Sequence, residues 1–285
     1  MTWALALSGG TAYGIANAGI VEILDQEGLR PDVIAGSSMG AIIAGLYALK
    51  KDTSILRDLC ETLRLTNIAE FTPHALEHGL HSGLLRQRLA KHLGPIIGDA
   101  TIGDCRIPFV CLAARVKEPI AWHRIIRKSF VEHISSRVEA AVLPPQTKLL
   151  DAFLATSAIP VLFSPMEIDG HTYVDLCNFG AIPSRTLHSL HHPDIVIGTD
   201  TAPRHGNIAP FLPAAWREFL TAANSSLEES IAACDLVIRP EFSAGSWRFD
   251  KAMEFFEAGK MAAAKKLIDI RSLFDNAPIK DSPRS

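Results

Sequence analysis

The sequence lacks a strong charge of either sign, a cysteine framework and a basic leader. It holds 28 lysines and arginines against 31 acidic residues, a formal net charge of −3, so we expect no nucleic-acid partner. The five cysteines form no C-x-x-C pair and no zinc spacing, which is typical of buried thiols in a reducing compartment. No basic segment precedes the first apolar residues, and the longest uncharged run, Val33 to Leu49, is interrupted by glycine and serine. We therefore expect no signal peptide, no transmembrane segment and a cytoplasmic location.

The composition is that of a globular protein. Of 285 residues, 48% are hydrophobic and 21% are charged, enough to build a large core. We find no repeat, no low-complexity tract and no linker, so we expect a single domain over residues 1–285. Residues 66–104 have a polar, helical pattern, and we expect them to form a lid over an apolar cleft.

The first fifty residues predict alternating strands and helices. Ala4–Leu7 has the pattern of a short buried strand, and a helical apolar spacing follows it. A second strand is predicted at Asp32–Ala35, and helical spacing resumes at Met39. This βαβα order predicts an α/β fold with a mostly parallel central sheet sandwiched by helices, in three layers.

Later segments continue the alternation. Ile107–Ala114 predicts a strand, Leu149–Ser157 a helix, and Asp169-Gly170 the turn of a β-hairpin. Between them, apolar residues at helical spacing predict a helix face made of Phe130, Ile134, Val138 and Val142.

A G-x-S-x-G sequence lies between the second predicted strand and the helix after it. Residues Gly36 to Gly40 read G-S-S-M-G, with Ser38 at the centre. This is the position of a nucleophile elbow, in which small residues at Gly36 and Gly40 allow strand and helix to approach closely. Centring the motif on Ser37 would put Met39 at a glycine position, so we expect Ser37 to support the turn. A buried turn without chemistry is the alternative.

A glycine-rich loop, S-G-G-T-A-Y-G, follows the first strand. Such loops direct successive backbone N–H groups at an anion. One interpretation is a dinucleotide or phosphate cradle, although Thr11 stands where G-x-G-x-x-G needs its middle glycine. The other is an oxyanion hole for Ser38, because parallel strands place both loops at the same sheet edge.

A serine nucleophile needs a base. His171 lies beside a carboxylate in the predicted hairpin, and Asp175 directly follows its second strand, where it could be a base or a loop cap. Two histidine groups have metal-like spacing, but solvated segments explain both better, so we expect no metal. They are His74, His78 and His81, and His188, His191 and His192.

Together these elements resemble the patatin-like phospholipases over nearly the whole chain. The glycine-rich loop at Gly9–Gly14 and the G-x-S-x-G sequence occur in that family's order. Ala155-Thr-Ser-Ala-Ile-Pro160 and Tyr173-Val-Asp175 stand where family members have ASSAIP-like and YVDGG-like runs.

The resemblance implies a Ser–Asp dyad, with Ser38 as the nucleophile and Asp175 as the base. It implies hydrolysis of a lipid ester, phospholipid or lysophospholipid, at a membrane surface contacted transiently and without a cofactor. No oligomeric state is predicted. The oxyanion hole would be built from N–H groups of Gly9, Gly10, Thr11 and Met39.

Three positions depart from the family pattern. Thr11 replaces a third glycine, Tyr13 replaces a customary arginine or lysine, and Leu176 replaces the glycine after the dyad aspartate. These changes keep open a second hypothesis, a patatin-fold protein that binds lipid with weak or no catalysis. A Rossmann-like nucleotide-binding protein is a third, based on the glycine loop alone.

Overall fold

The structure, a computed structural model, describes residues 1–62, 91–117, 138–159, 163, 165–176, 182–203 and 224–276. These residues contain one eight-stranded sheet. Its strands are β1 (Trp3–Leu7), β2 (Val33–Ser37), β3 (Phe109–Val116), β4 (Val138–Val142), β5 (Met166–Ile168), β6 (His171–Val174), β7 (Ile195–Thr199) and β8 (Leu236–Ile238). The helices are α1 (Ala16–Gln26), α2 (Met39–Lys50), α3 (Ser54–Thr62), α4 (Leu149–Thr156), α5 (Ser184–His191) and α6 (Ala252–Asp275). Residues 91–97 and 224–232 are also helical.

The centre of the sheet is parallel, in the order β3-β2-β1-β7-β8. β4 and β6 run antiparallel to β3, and β5 completes a hairpin with β6. Each inner strand is buried on both faces, as strands covered by helices on two sides must be. The predicted α/β class with a mostly parallel sheet is confirmed.

The two faces of the sheet support separate apolar clusters, because alternate side chains of a strand point to opposite sides. Trp3, Leu5 and Leu7 of β1 pack with residues of α1, α2, α4 and α6. Ala4 and Ala6 pack on the other face with residues of α5 and of the 224–232 helix. The result is three layers, helix–sheet–helix.

Helices α1 and α6 pack with their backbones in direct contact. A Cβ on Gly259 would lie 1.9 Å from the carbonyl oxygen of Ala16, so no larger residue fits there. The buried carboxylate of Glu22 accepts a hydrogen bond from Arg57 at 2.6 Å and faces Lys260 at 3.3 Å. These contacts fix the chain before α6 beside the glycine-rich loop before α1.

One predicted helix is wrong in its described part. Val138 and Val142, assigned to a helix face from their spacing, belong to β4, which pairs antiparallel with β3. The other residues of that face, Phe130 and Ile134, lie outside the described residues.

The predicted lid falls partly outside the described residues. Residues 66–90 are not described, so the lid stays a prediction for them. Within 91–104, Leu93, Ile97 and Ile102 are buried in the main apolar cluster, which places this part of the segment in the core.

Candidate active site

Ser38 occupies a strained turn between β2 and α2. Its backbone has φ 51° and ψ −131°, a region that side-chain-bearing residues rarely adopt. A Cβ on Gly36 would lie 2.5 Å from Cα of Ala41, and one on Gly40 would lie 2.4 Å from the carbonyl oxygen of Ser8. Both positions therefore require glycine, for the reason that the G-x-S-x-G spacing predicted.

β2 and β6 pair with the same edge of β3. Leu112 pairs with both β2 and β4, and Ala114 pairs with both β6 and β4. A strand has two edges, and β4 occupies one of them at both residues. β2 and β6 consequently share the other edge.

The two strands approach each other along this edge from opposite directions. β2 runs parallel to β3 and ends opposite Leu112, while β6 runs antiparallel and ends opposite Ala114. Only the level of Ala113 separates their carboxyl ends. Ser38 and Asp175 are the first residues after these two ends, so the topology brings the two predicted dyad members together.

The last residue of α4 and the segment after it hold the backbone on both sides of this junction. The N–H of Ser38 donates to Oγ1 of Thr156 at 2.7 Å, and the Thr156 hydroxyl donates to the carbonyl oxygen of Leu112 in β3. The N–H of Asp175 donates to the carbonyl oxygen of Ala158 at 2.9 Å. Thr156 and Ala158 therefore have a structural role that the sequence did not reveal.

The glycine-rich loop lies directly against Ser38. A Cβ on Gly9 would be 2.9 Å from Cβ of Ser38, and one on Gly10 would be 2.2 Å from the carbonyl oxygen of Thr201. The N–H of Gly9 donates to Oγ of Ser37 at 3.2 Å. Ser37 thus joins the turn to the loop, the supporting role expected of it.

The backbone N–H groups predicted for the oxyanion hole differ in their hydrogen bonding. Within the described part of the chain, the N–H groups of Gly10, Thr11 and Met39 have no hydrogen-bond acceptor. Thr11 has φ 52°, so it takes the left-handed conformation that a glycine would adopt there. Gly9 differs from the other predicted oxyanion residues because its N–H is engaged by Ser37.

A buried hydrogen-bond network holds the backbone at the start of the glycine-rich loop. The N–H of Ser8 donates to Oγ1 of Thr199 at 3.0 Å, and the side chain of Asn17 donates to the carbonyl oxygen of Ser8 at 2.9 Å. Thr199 donates to Oδ1 of Asn17 at 2.6 Å, and Thr201 donates to the carbonyl oxygen of Gly9 at 3.0 Å. No buried side-chain nitrogen or oxygen of these residues lacks a partner, so the network fixes the loop backbone.

The departure at Leu176 is accommodated by packing. Its side chain is buried in the same apolar cluster as Val174, on one face of the sheet. Leu176 therefore adds to the core on that face, and Asp175 stays directly at the end of β6.

None of the histidines that the structure describes forms a metal site. No group of three or more histidine, cysteine, aspartate or glutamate side chains in the described ranges could hold a metal ion. His171 is exposed and lies 6.5 Å from the ring of Tyr173, edge to face. A ring nitrogen of His188 lies 2.9 Å from the carbonyl oxygen of Ala233. His74, His78 and His81 lie outside the described residues.

Burial makes the described cysteine thiols weak acids. It raises the pKa of Cys60 and of Cys105 to about 12, and the pKa of Cys234 to about 11. These thiols are protonated at neutral pH and are poor nucleophiles. Cys177 lies outside the described residues.

A mostly parallel sheet with a G-x-S-x-G turn at the end of an inner strand is typical of one class of α/β proteins. In that class, the serine of the turn is a nucleophile. The family model for patatin-like phospholipase matches residues 5–175, which include the glycine-rich loop, Ser38 and Asp175. The chain belongs to the patatin-like phospholipase family. In the described residues, no helix is long and apolar enough to cross a membrane.

The chain is also similar to curated proteins and to a solved structure. An uncharacterized NTE family protein of Mycobacterium tuberculosis is 24% identical over 241 residues, covering 83% of this chain and 60% of the relative. This chain thus spans only part of the relative's length. Lysophospholipase NTE1 of Debaryomyces hansenii is 25% identical over 246 residues, 79% of this chain and 15% of that protein. VipD of Legionella pneumophila has 14% identity and a TM-score of 0.44, covering 93% of this chain and 67% of that one.

The Thr156 hydroxyl is expected to be essential for the strained turn. Thr156→Val keeps the shape of the side chain but leaves the buried N–H of Ser38 without its acceptor. We expect a loss of about 2–3 kcal/mol in the free energy of unfolding, measured by urea denaturation. Thr156→Ser, which restores the hydroxyl, should recover most of this loss. Equal stability of the valine and serine variants would contradict the assigned role.

Proposed function

We propose that this protein is a serine acyl hydrolase that cleaves phospholipid or lysophospholipid through an acyl-enzyme on Ser38. The observation that carries the proposal is the position of Ser38, in a positive-φ turn where the N–H groups of Gly10 and Met39 have no acceptor among the described residues. The carboxyl ends of β2 and β6, which Ser38 and Asp175 follow, meet along one edge of β3 and support the proposed dyad. The name of the Debaryomyces hansenii relative, lysophospholipase, favours a lysophospholipid substrate.

In the proposed reaction, the carboxylate of Asp175 accepts the proton of the Ser38 hydroxyl as Oγ attacks the ester carbonyl carbon. The N–H groups of Gly10, Thr11 and Met39 stabilise the oxyanion that forms. The proton passes to the leaving alcohol as the ester C–O bond breaks. Water, deprotonated by Asp175, then attacks the acyl-enzyme and releases the fatty acid and Ser38.

The lipid-binding alternative depended on the three departures from the family pattern. Thr11 has a positive φ, the conformation that glycine adopts readily, and Leu176 is buried in the core. Neither change removes Ser38, Asp175 or a backbone donor. These observations favour hydrolysis over binding without turnover. We expect the protein to act on a membrane surface that it contacts only transiently.

Two measurements on the unmodified protein test the proposal. A fluorophosphonate probe should label the folded protein, with the adduct on the peptide that contains Ser38 when mapped by mass spectrometry. Vesicles of phosphatidylcholine with added lysophosphatidylcholine should release free fatty acid, and identifying the products would define the position of attack. A folded protein that gives neither an adduct nor fatty acid would overturn the proposal and favour the lipid-binding function.

A further inference from the structure

A segment far along the chain contacts the glycine-rich loop. We call residues 242–246, which precede α6, the brace. The carbonyl oxygen of Ser246 accepts the N–H of Ala12 at 2.9 Å. The carbonyl oxygen of Ala244 accepts the hydroxyl of Tyr13 at 2.7 Å. The brace lies outside residues 5–175, the part of the chain that the family model matches.

Thr11 also reaches the brace. Its hydroxyl oxygen lies 2.7 Å from the carbonyl oxygen of Ser246 and 2.6 Å from that of Gly10, and its single proton serves one of them at a time. A β-branched residue at φ 52° is a rare conformation that the surroundings must impose. The contact with Ser246 is part of what imposes it.

An aromatic cluster anchors the same region. The ring of Tyr13 stacks on Phe242 of the brace, with centroids 4.0 Å apart and planes 10° apart. Phe255 of α6 packs edge-on against both rings, at 5.3 Å from Tyr13 and 5.5 Å from Phe242. Phe255 is buried, so the cluster ties the loop and the brace to the core.

Two of the three departures from the family pattern, Thr11 and Tyr13, are the loop residues whose side chains contact the brace. Oxyanion donors act efficiently only when they are held in place before the charge develops. We infer that the brace positions the glycine-rich loop. Through their contacts with the brace, Thr11 and Tyr13 hold the N–H groups of Gly10 and Thr11 toward Ser38. This inference rests on the proposed function of those N–H groups.

The kinetic test removes single hydroxyls. Tyr13→Phe keeps both ring contacts and loses the bond to Ala244; we expect kcat to fall about tenfold with KM nearly unchanged. The rate of labelling by the fluorophosphonate should fall in proportion. Thr11→Ala and Thr11→Ser differ only by the hydroxyl, and the serine variant should be the more active of the two.

Tyr47→Phe is the matched control. The hydroxyl of Tyr47 donates to Oδ1 of Asp25 at 2.7 Å, away from the loop, so this variant loses one hydrogen bond of similar length elsewhere. It should leave kcat unchanged. A fall in kcat equal to that of Tyr13→Phe would show that general destabilisation, and not the brace, explains the effect.

The exchange rates of the loop amides test the positioning role independently of catalysis. In Tyr13→Phe and Thr11→Ala, the amides of Ala12 and Tyr13 should exchange faster than in the wild type, while Tyr47→Phe should leave them unchanged. Unchanged exchange in both loop variants would overturn the positioning role, whatever their activity. If the wild type neither reacts with the probe nor releases fatty acid, the proposed function fails, and the exchange result still shows whether the brace holds the loop.

Discussion

Ser38→Ala is expected to abolish ester hydrolysis and labelling by a fluorophosphonate. The change removes the only hydroxyl at the strained centre of the turn, and alanine keeps the backbone contacts of Ser38 with Thr156. Removing the nucleophile of a serine hydrolase costs at least about 10⁴-fold in kcat. The measurement is fatty-acid release from lysophosphatidylcholine, with circular dichroism to confirm that the variant is folded.

Ser37→Ala provides the comparison within the same motif. Its hydroxyl accepts the N–H of Gly9, so the variant should lose about 1–2 kcal/mol of stability and no more than about tenfold in kcat. The two adjacent serines therefore have separable effects, one on chemistry and one on support of the turn. Wild-type turnover by Ser38→Ala would show that another group is the nucleophile.

Asp175→Asn is the second large expected effect. Asparagine has nearly the same shape and leaves the main-chain bond to Ala158 intact, but it cannot accept the proton of Ser38. We expect kcat to fall about 10³-fold or more, since general-base assistance typically contributes about 10²–10⁴-fold. The thermal midpoint should change little, which separates this loss from unfolding.

Asp169→Asn is the matched control on the same hairpin. Asp169 is exposed at the tip, with φ 50°, a conformation that asparagine also accepts readily. The variant should retain wild-type kcat. If Asp175→Asn were equally active, the Ser–Asp dyad would be wrong, although acyl transfer by Ser38 with another base would remain to be examined by the labelling experiment.

Local features of the fold were predictable from the sequence because short-range sterics decide them. The Asp169-Gly170 pair predicted a hairpin turn, and both residues have positive φ, at 50° and 77°. Ser38 was identified as the centre of the turn because only Gly36 and Gly40 allow β2 and α2 to approach so closely. These are properties of a few neighbouring residues.

The wrong assignment at Val138 and Val142 has an equally physical cause. Residues four apart share a face in an α-helix and also in a β-strand, where alternate residues point the same way. The spacing of this valine pair therefore could not distinguish the two. Pairing with β3 decided the matter, and only the tertiary structure supplies that partner.

The sequence by itself determined the strand–turn–helix around Ser38, the glycine-rich loop and the α/β class, because each depends on residues adjacent in the chain. The tertiary structure alone decided how β2 and β6 meet along β3, and which carbonyl groups hold Thr11 and Tyr13. Such contacts join residues far apart in the chain, 231 positions in the case of Tyr13 and Ala244, and leave no periodic pattern in the sequence. They depend on the packing of the complete sheet and of α1 against α6.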